Sequence, residues 1–104
     1  MHRIIGDAIA ELRRLNVWSQ SELAREISRN ARRGTAAPSA MMISSWERGL
    51  HAPAPEYRAA LARIARKEKA TEDLAPLFLA AMESWRLVSR VRLLHQRRQP
   101  SQRP

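Results

Sequence analysis

An all-α fold is predicted by three features of this sequence. Apolar residues recur at three- and four-residue spacing in successive segments, β-branched residues never form an alternating run, and helix-capping residues punctuate the chain. Hydrophobic residues make up 44% of 104 residues, enough for one small core and too few for two. The expected architecture is five helices. A domain spans residues 1–70, a longer C-terminal helix spans 71–94, and a basic disordered tail spans 95–104.

Each element has a local reason. Ile5, Ala8, Ile9 and Leu12 form one helical stripe, with Glu11, Arg13 and Arg14 off it, so a first helix is predicted from Ile5 to Asn16. Ser19 and Glu22 are spaced as a capping box, and Trp18 and Leu23 as a hydrophobic staple, so a second helix starts at Ser19 and buries Leu23, Ala24 and Ile27. The stretch from Ser28 to Pro38 carries Arg29, Arg32 and Arg33 without an acid and is broken by Gly34 and Pro38. It reads as the end of the second helix followed by an exposed loop.

Pro38 disfavours helix at Ala37, and Ser39 is the cap of a third helix that Gly49 ends as a left-handed residue. Ile43 and Trp46, about one turn apart, would hold this helix to the core. Its outer face is small and weakly charged, as suits entry into a nucleic-acid groove. A Pro-bearing connector leads to a fourth helix from Pro55 to Lys69, burying Tyr57, Leu61, Ile64 and Ala65. Thr71 is placed to cap the fifth helix, with Pro76 suggesting that regular helix begins one turn later. That helix has two apolar stripes, only one of which its own domain needs. Leu77, Phe78, Ala81, Trp85 and Val88 are therefore expected at a dimer interface, with a helix buried broadly in its own domain as the alternative.

Charge narrows the partner. The chain has 19 basic and 10 acidic residues, net +9, and 17 of the basic residues are arginines. Arginine is the side chain best shaped for phosphate and guanine, so the balance points to a nucleic acid, with solubility alone as the plainer reading. Cysteine is absent, which excludes disulfides and thiolate metal sites. His2, His51 and His95 lack ligand spacing, no phosphate-cradling glycine loop is present, and Ser44 and Ser45 have no base beside them, so neither catalysis nor a cofactor is expected. No apolar run is long enough for a signal peptide or membrane span, and the expected location is the cytoplasm, at the nucleoid.

Ile5-Gly6 and Leu12-Arg13, then Ser19-Gln20-Ser21-Glu22-Leu23-Ala24, then Ile43-Ser44-Ser45-Trp46-Glu47-Arg48-Gly49, taken in this order, resemble the lambda-repressor-like (Xre/Cro-type) helix-turn-helix family over residues 4–66. The resemblance implies that the second helix crosses the DNA backbone and the third lies in the major groove. It assigns base reading to Ser39, Ala40, Met41, Ser44 and Ser45, and phosphate contacts to Gln20 and Arg48. Arg29, Arg32 and Arg33 would sit beside the reading helix, where they could clamp phosphate or enter a groove. Arg13 and Glu47 match a family ion pair. The chain departs from the family in two ways. Between Ala24 and Ile43 it is longer by about nine residues than the usual tight turn, and the reading face lacks the Gln, Asn or Arg of bidentate base contacts. Sequence preference could then lean on the insert or on DNA shape.

The expected function is sequence-specific binding of double-stranded DNA by a homodimeric transcriptional repressor on a palindromic operator. A phage or mobile-element repressor, including the anti-CRISPR-associated kind, is a variant of it. An antitoxin that binds a toxin through its last helix and autoregulates is the alternative. RNA binding is weaker, because exposed aromatic platforms are lacking.

Overall fold

The structure, a computed structural model, describes residues 2–79. Helix α1 spans His2–Asn16, α2 Gln20–Asn30, α3 Ala40–Glu47 and α4 Pro55–Arg66; a 3₁₀ turn, Glu72–Leu74, leads into helical residues 75–79. The described residues are all-helical. α1 packs chiefly on α3, and α2 packs on both α3 and α4.

The helix ends follow from local chemistry. The Ser19 hydroxyl accepts from the Glu22 N–H at 3.1 Å and the Glu22 carboxylate accepts from the Ser19 N–H at 3.0 Å, completing the capping box. These bonds hold the Glu22 carboxyl below its ordinary pKa. Ser39 caps α3 by accepting from the Met42 N–H at 3.1 Å. Two helices end in the same way. After α3, Gly49 at φ 74° lets its N–H reach Trp46 O and that of Leu50 reach Ser45 O, each at 3.0 Å. After α1, Val17 takes the left-handed position at φ 57°, with Val17 N–H to Arg14 O and Trp18 N–H to Arg13 O.

α1, α2, α3 and α4 each send their predicted stripe inward. Ile5, Ile9 and Leu12 meet Leu23, Ile27, Ile43, Trp46, Tyr57, Leu61 and Ile64 in one core, and Trp18 is half-buried against it. Gly6 marks the closest approach of α1 and α3: a Cβ there would collide with the carbonyl oxygen of Trp46 and lie 2.8 Å from that of Glu47. Only glycine lets these two helices sit so near.

Four expectations change. α1 begins at His2, ahead of Ile5. α4 stops at Arg66, short of Lys69. Thr71 does not cap the next helix with its side chain. Its buried hydroxyl instead donates to Ala65 O at 2.8 Å, closing the C-terminal end of α4 where helical carbonyls lack partners. Phe78, expected at a dimer surface, is completely buried in the core with Ala75, while Leu77 remains 40% exposed. Phe78 and Ala75 thus roof the core of their own domain. Ala81, Trp85 and Val88 lie outside the described residues.

Candidate nucleic-acid interface

The candidate surface is the outer side of α3. Ile43 and Trp46 are buried, and the Trp46 ring packs on that of Tyr57 with centroids 5.4 Å apart. This fixes the helix from behind. On the opposite side Met41 is 80% exposed and Met42 38%, while Ala40, Ser44 and Ser45 are half-buried and Ser39 is exposed at the cap. An uncharged face of small and flexible side chains can follow the floor of a groove closely. A methionine or alanine can touch a thymine methyl, and a hydroxyl can bond to several bases.

The one charged residue within α3 is turned away from that face. Glu47 takes a two-pronged contact from Arg13, Nε to Oε2 at 2.7 Å and Nη2 to Oε1 at 3.1 Å. Gln20 Nε2 adds a third bond to Oε1 at 3.0 Å. The carboxylate is thereby shared by α1, α2 and α3, which sets their mutual register. Hydrogen bonding to Glu47 raises the Arg13 pKa above its ordinary value despite partial burial. The expected Arg13–Glu47 pair is present. Gln20, expected at a phosphate, is engaged with Glu47 in this structure, because the carboxylate lies within its reach across the α2–α3 contact.

The remaining expected phosphate residues are exposed: Arg29, Arg32, Arg33 and Arg48. Arg48 Nε reaches Ser44 O at 3.4 Å, and Arg29 pairs with Glu26 at 2.9 Å on its own helix. Such exposed pairs are weak and exchange readily for a phosphate oxygen. Arg32 and Arg33 make no side-chain hydrogen bond or ion pair among the described residues.

The long connection between α2 and α3 is fastened at both ends. Arg63 Nη1 donates to Asn30 O at 2.6 Å, Tyr57 Oη donates to Ala36 O at 2.8 Å, and Pro38 is buried. An open groove of about 450 Å³ separates it from α2, lined by Ala24, Arg25, Ser28, Arg29, Ala37 and Pro38.

Sequence reasoning missed three participants. Tyr57 is a core residue that also pins the insert through its hydroxyl. Arg25, at helical spacing from Arg29, adds a second cation to the groove. His51 Nδ1 shares a hydrogen bond of 2.6 Å with Ser45 Oγ, placing an exposed imidazole beside the outer face of α3. Only the i, i+4 spacing of Arg25 and Arg29 was visible beforehand.

Among the described residues no cluster of His, Asp or Glu is placed to hold a metal ion, and no helix is long and apolar enough to cross a membrane. Family models, curated proteins and solved structures were each compared with the chain, and none matches it.

Proposed function

We propose that this chain is a lambda-repressor-like helix-turn-helix protein that binds double-stranded DNA with α3 in the major groove and acts in the cytoplasm as a homodimeric transcriptional repressor. The observation that carries the reading is the division of α3. Ile43 and Trp46 are buried, Glu47 is taken up by Arg13 and Gln20, and the uncharged face of Ala40, Met41, Ser44 and Ser45 stays accessible. The net charge of +9 favours a polyanion as its partner. Leu77, of the expected dimer stripe, is exposed and remains open to a second copy, as one of several exposed apolar side chains.

The test is selection of bound fragments from random duplex DNA by the full chain. A palindrome with half-sites about one helical turn apart is expected. With about eight phosphate contacts per dimer, log affinity would fall against log salt with a slope near −7. A slope near zero, or co-purification with a stoichiometric protein and no duplex binding, would overturn the reading. Met41→Ala and Ser45→Ala should change which bases are preferred. Arg48→Ala should weaken all duplexes alike.

A further inference from the structure

Residues 32–35 form a hydrogen-bonded turn. Thr35 N–H donates to Arg32 O at 3.0 Å, and Gly34, the third residue, has φ 91°. Val17 is the only non-glycine residue with positive φ among the described residues, so Arg33 has negative φ. A turn with negative φ at its second position and positive φ at its third is of type II. Arg33 therefore occupies a corner whose backbone is set by local chemistry. Space around Gly34 is open, so its glycine is demanded by conformation and not by crowding.

The turn is also held in place. Arg63 fixes Asn30 O before it, Tyr57 fixes Ala36 O after it, and Pro38 anchors the chain in front of α3. Arg32 lies along a shallow groove with Pro55, Glu56, Ala59 and Arg63, whereas Arg33 stands outside that lining. Both are exposed, and residues 28–38 contain no acid.

We propose that this turn is a second reading element, with Arg33 entering the DNA minor groove beside the major-groove site of α3. The inference rests on the duplex-binding reading above. Two arguments favour a groove over a phosphate clamp. Phosphate capture needs only charge, which a loose loop supplies, whereas delivering a guanidinium into a narrow groove benefits from a fixed corner that loses little freedom on binding. The face of α3 also holds no side chain for bidentate base contact, so sequence preference needs another source. Chain length sets an upper bound on the reach, to which the long arginine side chain adds. Five residues lie between Arg33 and the Ser39 cap of α3, so the six chain steps cover at most about 20 Å. The neighbouring minor groove is half a helical repeat away, about 17 Å.

The experiment uses the full chain and a duplex selected as above, with the flank of each half-site rebuilt in three ways. One flank is A·T, one is 2,6-diaminopurine·T, which adds an amino group to the minor groove and keeps the major-groove edge, and one is inosine·C, which lacks that amino group. The A·T and inosine·C flanks should bind alike, and the diaminopurine flank about tenfold more weakly. Arg33→Ala and Arg33→Lys should both erase this difference, binding all three duplexes alike, and Arg33→Ala should bind them more weakly than the parent binds the A·T duplex. Helical circular dichroism of both variants should match the parent, since the side chain is exposed. Flank-independent binding by the parent, or an Arg33→Lys variant that keeps the flank dependence, would overturn the minor-groove role alone. Absence of binding to every duplex would overturn the duplex reading itself, and this inference with it.

Discussion

Arg13 and Glu47, 34 positions apart in sequence, meet through two parallel hydrogen bonds of 2.7 and 3.1 Å. The Glu47 side chain is only 10% exposed and that of Arg13 30%. Removing the carboxylate leaves the Gln20 amide without this acceptor and the partly exposed Arg13 guanidinium with only Trp18 O, at 3.3 Å. Glu47→Ala should therefore cost on the order of 2–3 kcal/mol in urea unfolding, below the range of fully buried pairs. Arg13→Ala with Glu47→Ala should cost clearly less than the sum of the single changes. Strict additivity would show that the pair does not couple α1 to α3.

Gly6→Ala is the sharpest test of the helix packing. Alanine is better than glycine in a helix by about 1 kcal/mol, so an uncrowded site would gain stability. Here the new methyl group meets two backbone carbonyls, of Trp46 and Glu47, that cannot rotate away. A net loss of about 2–3 kcal/mol is expected in thermal or urea unfolding, and a gain would refute this crossing of α1 and α3.

Val17 sits in the left-handed region at φ 57° and is 86% exposed. Relief of that conformation is worth roughly 1–2 kcal/mol, and the added freedom of a glycine in the unfolded chain offsets about half of it. Val17→Gly should thus stabilise the protein by about 0.5–1 kcal/mol. A lowered melting temperature would argue against this backbone at the end of α1.

Acid should weaken the start of α2. The Glu22 carboxyl is held below its ordinary pKa, first by the bond to the Ser19 backbone N–H and then by the Ser19 hydroxyl contact. A depressed carboxylate contributes stability above its unfolded pKa and loses it as pH falls through the folded value. The stability difference between the parent and Glu22→Ala should be full near neutrality. It should shrink progressively below about pH 4.5, the ordinary value for this group. A difference independent of pH would exclude the ionised cap.

Much of the local structure was legible in the residues alone, because its signals act within a few positions. Ser19 and Glu22, Ser39, and Gly49 carry their own capping chemistry, and the stripes of α1, α2 and α4 follow from helical spacing. Resemblance to a family supplied the Arg13–Glu47 pair, which spacing could not reveal. Packing decided the rest. Thr71 has the composition of a helix start, yet burial beside Ala65 O turned its hydroxyl back to α4. Phe78 reads equally well as an outer or an inner stripe, and the uncovered top of the core drew it inward. Gln20, Tyr57 and His51 owe their partners to the approach of segments in space: Glu47, Ala36 O and Ser45. A hydrogen-bonding group takes whichever complementary atom the finished fold brings within about 3 Å, and helical periodicity contains no record of that choice.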